Sequence, residues 1–249
     1  MYIYIIDTAV VKQKTNIISQ MKSLSKRYSI EGSFIYVSIL HDLKKEILAN
    51  IKDKTNTIVV VGNYDSLNKI IDIIFQLDRV DDTVFGLIPV ELDSMSKILG
   101  MTGSVDKDMF FVSQRLNKKI DICVINNKYF LDSINFSFSY GFNVEIDASY
   151  IINFKNNCEL VVGSMFFDNN INNLSKPNDG FFDVLLYSKL KNKSDVIGKF
   201  KAKKLNINSK FNVRYSINNV QYKASNIQVD IFKEKIKVIL SKGSVLNSL

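Results

Sequence analysis

The stretch Thr57-Ile-Val-Val-Val-Gly-Asn-Tyr-Asp-Ser-Leu-Asn68 restricts the folds open to this chain more than any other. An apolar run ends at Gly62, a short polar turn follows, and an amphipathic pattern then places Leu67, Ile70, Ile71, Ile74 and Phe75 on one stripe. A strand without polar alternation is buried on both faces, as in a parallel sheet covered by helices. A glycine at its end lets the backbone approach a ligand, and the next helix aims its first amides at an anion. This is the outline of a strand-turn-helix phosphate site. Its chemistry is poorer than its outline, because Asn63, Tyr64 and Asp65 stand where a phosphate cradle wants small residues and one well-placed acid.

The same alternation runs through the first part of the chain. Hydrophobic spacing predicts strands at 1–6, 33–39, 57–61 and 84–90. Helices are predicted over 12–28, 40–52, 66–77 and 93–99, the last capped by Asp93. One more helix is expected at 105–117. From Lys119 onward the strands are short and end in Asn, Asp, Gly or Ser turns: 120–125, 129–131, 134–140, 160–166, 182–188, 201–207, 211–217, 227–232 and 236–240. The expected fold is therefore α/β plus β. A parallel-sheet α/β domain of nucleotide-binding type spans 1–101, and an antiparallel β-sandwich domain spans 102–249. The cleft between them is the natural binding site.

Composition removes several kinds of chemistry. Of 249 residues, 46% are hydrophobic, but no apolar stretch approaches the ~20 residues a membrane span needs. The opening Met1-Tyr-Ile-Tyr-Ile-Ile-Asp7 lacks a basic flank and reads as a first buried strand rather than a signal peptide, so a cytoplasmic location is expected. His41 is the only histidine, and Cys123 and Cys158 are the only cysteines. Zinc sites, Ser-His-Asp triads and Cys-His pairs lack ligands. The cysteines read as incidental thiols, and His41 as a capping or surface residue. The net charge of +8 comes mostly from lysine. Arginine is scarce and no nucleic-acid motif appears, so no nucleic-acid partner is expected. In Lys199-Phe-Lys-Ala-Lys-Lys204 the alternation reads as a strand with a solvated lysine face. The functional alternative is a patch for anionic lipid headgroups at a membrane surface, with the protein peripheral to it.

Two further segments complete the pattern: Gly86-Leu-Ile-Pro-Val-Glu-Leu-Asp-Ser-Met-Ser-Lys-Ile-Leu-Gly100 and Lys176-Pro-Asn-Asp-Gly-Phe-Phe-Asp-Val184. In this order the three segments resemble the diacylglycerol kinase catalytic family, which includes bacterial lipid kinases and sphingosine kinases, over nearly the whole chain. There the motifs read GGDGTLN, roughly GIIPLGTGNDFARxLG, and DGLLDV. The resemblance implies ATP-dependent phosphorylation of a lipid hydroxyl with ATP and Mg2+ as cofactors, within phospholipid metabolism.

Carried over residue by residue, the resemblance makes Gly62, Asn63, Ser66 and Asn68 the nucleotide-binding positions. Tyr64 replaces the family's aspartate, and the surviving acid is shifted to Asp65. In the second loop Pro89 matches, two glycines are lost, Glu91 sits where phosphate is expected, and Asp93 and Ser94 take the Asn and Asp positions. Asp65 and Asp93 are thus the carboxylates left for catalysis. Tyr222, Lys223 and Ala224 stand in place of a late Asp-Gly-Glu whose Glu is the general base, so Ala224 takes the base position. Asp230 and Glu234 are the nearby acids. Lys176-x-x-Asp179-x-Phe181 resembles a structural magnesium site, and its alternative is a metal-free Asn-Asp-Gly turn. The expectation is a lipid kinase-like protein with eroded motifs and weak or no activity, a pseudoenzyme. An active ATP-dependent lipid kinase acting on a diacylglycerol-like hydroxyl is the first alternative. A non-catalytic structural or interaction protein is the second. Nucleotide binding and homo-oligomer formation are left open.

Overall fold

The computed structural model describes residues 1–12, 16–37, 43–51, 56–138, 141–154, 158–165, 176–190, 193–217 and 220–247. His41 lies outside the described residues. The chain divides into two compact units, Met1–Ile120 with Lys235–Leu249, and Asp121–Glu234.

The first unit alternates strand and helix: β1 (Tyr2–Asp7), α1 (Thr8–Val11), α2 (Ile17–Arg27), β2 (Gly32–Val37), α3 (Leu43–Asn50), β3 (Asn56–Gly62), α4 (Tyr64–Gln76), β4 (Thr83–Pro89), α5 (Ser94–Ile98) and α6 (Val105–Gln114). Strands β2, β1, β3 and β4 lie side by side in that order, all parallel, and Lys237 and Val238 add a further parallel strand beside β4. Every residue of β3 and β4 is buried, as the unbroken apolar runs require. One cluster joins Tyr4, Met21, Val59, Val84, Met109, Val112 and Ile239.

The sequence reading put the boundary at residue 101. The contacts group 102–120 with the first unit, because α6 buries Met109 and Val112 in that cluster. The C-terminal segment joins it through Leu240 N donating to the Leu116 carbonyl and Ser241 N to the Leu99 carbonyl. Within the first turn of α6, the buried Asp108 accepts from Thr102 N, Thr102 Oγ1 and Gly103 N at 2.8, 2.9 and 2.9 Å, which fixes the turn at Thr102–Gly103 ahead of the helix. Burial pushes its carboxyl above the ordinary range, and these donors partly offset the shift.

Antiparallel ladders build the second unit, and the last residues of its final strand pass into the first unit. The second unit contains β5 (Asn117–Ile125, entering from the first unit), β6 (Lys128–Phe130), β7 (Ser133–Phe138), β8 (Phe142–Ile146), β9 (Tyr150–Phe154), β10 (Cys158–Gly163), β11 (Phe182–Leu190), β12 (Lys193–Ala202), β13 (Lys204–Ile217) and β14 (Val220–Ile239). The sheet forks at β13. Residues Leu205–Ser209 pair with β8, while Arg214 and Tyr215 pair with β7. Both arms feed one core that includes Phe130, Phe136, Leu160, Phe182, Leu205 and Ile227. Phe200 and Ala202 of β12 pack on that core, whereas Lys199 and Lys201 are exposed, so this strand has the alternation of a solvated lysine face. Cys123 is buried and Cys158 half-buried, with no disulfide between them.

The β8–β9 hairpin was not foreseen from the sequence. Its reversal is made by Asp147 and Ala148, both left-handed at φ 49° and 53°, which suits the right-handed twist of the two strands. Asp147 Oδ1 then accepts from Lys203 N and Lys204 N, pinning the hairpin to the start of β13.

Candidate functional site: the turn after the third strand

Asp7 ends β1, Gly62 ends β3 and Pro89 ends β4. These strands are parallel neighbours, with Ile6 opposite Val61 and Gly62 opposite Pro89, so the three residues gather at one end of the sheet. In open α/β sheets ligands bind outside this carboxyl end.

Asn63 is extended and caps α4, its Oδ1 accepting from Ser66 N at 3.0 Å. Ser66 Oγ donates to Asp7 Oδ2 at 2.6 Å and lies 2.9 Å from Asn63 Oδ1. Both Asp7 and Ser66 are buried. This contact explains Gly62, because a Cβ there would sit 2.8 Å from Ser66 Oγ and 3.3 Å from Asp7 Cβ. The glycine is needed for close approach of the protein's own side chains.

Asp93 caps α5 with a reciprocal box. Its Oδ1 accepts from Ser96 N and Ser96 Oγ, both at 2.7 Å, and Ser96 Oγ accepts from Asp93 N at 2.9 Å. The second oxygen, Oδ2, reaches the neighbouring helix and accepts from Tyr64 N at 2.9 Å. Tyr64 and Ser66 open α4, where backbone amides lack intrahelical acceptors and an anion would bind. Here a carboxylate takes the Tyr64 amide and a side-chain amide oxygen takes the Ser66 amide.

Asp65 lies in the same first turn. Burial pushes its carboxyl above the ordinary range, and the negative charge of Asp93 pushes it further. Lys69, one turn on, is shifted down by burial, with Asp7 opposing the shift. Asn68 is buried, and Glu91 is exposed. Beneath the turn, Asp7, Ser66 and Lys69 face Ile5, Val60 and Ile70 across a cavity of about 10 Å3, room for no more than one water.

The structure therefore brings Gly62, Asn63, Asp65, Ser66, Asn68 and Asp93 together in the first unit. As arranged, the Tyr64 and Ser66 amides that a nucleoside triphosphate would use are bonded to the protein's own side chains. A phosphate would have to displace Asp93 from the Tyr64 amide and Asn63 from the Ser66 amide, against two nearby carboxylates.

Asp179 and Ala224 belong to the second unit. Ala224 lies within β14 opposite Val213 and packs on the core, while Tyr222 stacks on Tyr215 with ring centroids 5.6 Å apart. Asp230 is paired in register with Lys204, and Glu234 N donates to Asp121 Oδ1 at 2.7 Å. Asp179 Oδ1 accepts from Phe181 N at 2.9 Å, and its Oδ2 accepts from Lys201 Nζ. Among the described residues no group of three or more Asp, Glu, His or Cys is arranged to hold a metal ion. With an ammonium already on its outer oxygen, the Asp179 turn does not fit a divalent cation.

Three participants escaped the sequence reading: Asp7, Ser96 and Lys201. Asp7 had a usable signal, an acid at the end of an apolar strand that precedes a helical pattern. Ser96 had one too, since Asp93-Ser-Met-Ser96 has the spacing of a capping box. The Lys201–Asp179 contact has no local signature.

No protein-family model matches the chain, and no curated protein matches it. Solved structures do. Two structures of a putative diacylglycerol kinase from Bacillus anthracis str. Sterne superpose with a TM-score of 0.81, at 11% and 12% identity, over 98% of this chain and 98% of theirs. A third, of a diacylglycerol kinase from the same organism, gives a TM-score of 0.74 at 12% identity with the same coverage. The chain has a diacylglycerol kinase-like fold, with an α/β unit and a β unit as the sequence predicted. At this identity the likeness is one of fold. No helix among the described residues is long and apolar enough to cross a membrane.

Proposed function

We propose that this protein is a diacylglycerol kinase-like member of the lipid kinase fold whose nucleotide loop is closed by its own side chains and whose phosphotransfer is weak or absent. The observation that carries this reading is the Asp93 carboxylate on the Tyr64 amide. An internal anion already holds the place where a nucleotide phosphate would gain most from the helix terminus. Asn63 on the Ser66 amide supports the same reading.

The base position adds to it. The family's late Asp-Gly-Glu falls on Tyr222-Lys223-Ala224. Ala224 cannot accept a proton, and loss of a general base alone costs about 10²–10⁴-fold in rate.

One observation favours the active alternative. Asp65 and Asp93 are close enough for one charge to shift the other's titration, and a carboxylate pair can share a divalent cation. Both readings meet in one assay, transfer of labelled phosphate from Mg-ATP to diacylglycerol in mixed micelles. We expect no transfer above the protein-free background. Transfer that Asp65→Asn and Ser66→Tyr both abolish would establish the active reading instead.

A further inference from the structure

The lipid kinase resemblance places a structural magnesium at the Asp179 turn, and the groups around that turn are arranged for a different cation. Asp179 holds the turn through Phe181 N and presents its other oxygen to Lys201 Nζ. Asp121, fully buried, holds the same turn from beneath, accepting from Gly180 N at 2.7 Å. Asp183 is also buried. It is the cross-strand partner of Lys201 in the β11–β12 ladder, and its Oδ1 has no hydrogen-bond partner among the described residues. Directly opposed residues project to the same face of a sheet. The stem of Lys201 therefore rises beside Asp183 and its ammonium ends on Asp179.

Three acidic side chains around one turn need a counter-charge, because a buried carboxylate without a cation is expensive. Other cations crowd the same turn. Lys203 Nζ lies 5.0 Å from the centre of the Phe181 ring, and the Lys233 stem packs on Gly180, where an added Cβ would meet Lys233 Cδ at 3.1 Å. A divalent ion entering here would displace the Lys201 ammonium, while the charge of Lys233 already acts on Asp121.

We infer that Lys201 is a built-in counterion that replaces a structural divalent cation, so the Asp179 turn keeps its form without metal. The inference does not depend on whether the nucleotide loop is active. It also makes a demand on the variant protein. Removing the ammonium leaves oxygen ligands on a glycine-containing turn, a setting that suits a hard cation.

Thermal unfolding of the full chain tests this in millimolar EDTA, MgCl2 and CaCl2. Wild type should melt at the same temperature in all three. Lys201→Met should melt about 2–4 °C lower in EDTA, a modest shift because the Lys201 side chain is 44% exposed and the pair is partly screened. Calcium or magnesium should restore most of that loss, saturating at about 10⁻⁴–10⁻³ M. Asp179→Asn/Lys201→Met should lose the metal response. If Lys201→Met does not accumulate as folded protein, Lys201→Arg and Lys201→Gln carry the same contrast, Arg indifferent to metal and Gln responsive. Wild type that melts lower in EDTA or gains stability saturably with magnesium would overturn the inference. So would a folded Lys201→Met that neither loses stability nor responds to metal, or an Arg variant that behaves as Gln does.

Discussion

Replacing Asp93 with alanine removes three hydrogen bonds at once: those from Ser96 N and Ser96 Oγ at 2.7 Å and that from Tyr64 N at 2.9 Å. Loss of an N-cap costs about 1 kcal/mol. A carboxylate bonded to a second helix's amide adds about 1–2 kcal/mol at a partly exposed site. Relief of repulsion with Asp65 returns a few tenths of a kcal/mol, leaving a net loss of about 2 kcal/mol. For a chain of this length that lowers the melting temperature by about 4–8 °C. Asp93→Asn should lose about half as much, since its oxygen still caps Ser96 N while its NH2 faces the Tyr64 amide. Urea unfolding followed by circular dichroism and by tyrosine fluorescence measures both variants. The same proteins, titrated with pyrophosphate, should show tighter anion binding than wild type, because the variant frees the Tyr64 amide and removes a negative charge. A loss below about 0.5 kcal/mol for Asp93→Ala, or anion binding no tighter than wild type, would refute the claim that Asp93 closes the loop.

Asp65 gives a pH signature. Its carboxyl titrates above the ordinary 3.8 when folded, so the folded state binds more protons there than the unfolded state. Stability conferred by the protonated form is then lost as pH rises through the folded value. Asp65→Asn should flatten that fall in urea midpoints measured from pH 3.8 upward, and an unchanged slope would count against it. Gly62→Ala should cost about 1–3 kcal/mol by forcing a methyl to within 2.8 Å of Ser66 Oγ. Adding Ser66→Ala should recover part of that loss, and strictly additive losses would show that the two sites are not in contact. Burial pushes the Cys123 thiol up to about 12, with Ser164 opposing the shift. Ellman's reagent at pH 8 should therefore label Cys158 in the native protein and reach Cys123 only in guanidinium.

The first unit was legible because its signals are local. The apolar runs of β1, β3 and β4 and the stripe of α4 are set by burial on both faces or on one, and sequence periodicity reports that directly. In the second unit, residues that usually make turns sit inside strands. Ser209 and Lys210 read as a break, yet β13 runs through them with a register shift between Asn208 and Val213. The sequence separates strands 227–232 and 236–240, yet β14 continues past a left-handed Glu234 whose amide is held by Asp121, 113 residues away. The Glu234 contact joins residues far apart in the chain, which local sequence patterns do not report. The site divides in the same way. Gly62 is marked by the strand-turn-helix outline, Asn63 and Ser66 by the family resemblance, and Asp93 as a helix cap. That its second oxygen crosses to the Tyr64 amide depends on packing between two strand ends, which no single stretch of sequence encodes.

Calorimetric titration of Mg-ATP into the wild-type protein tests the closed-loop reading most directly. No saturable heat is expected at millimolar nucleotide, with weak binding appearing once Asp93 is alanine. Saturable micromolar binding by the wild type, unchanged in Asp93→Ala, would contradict it.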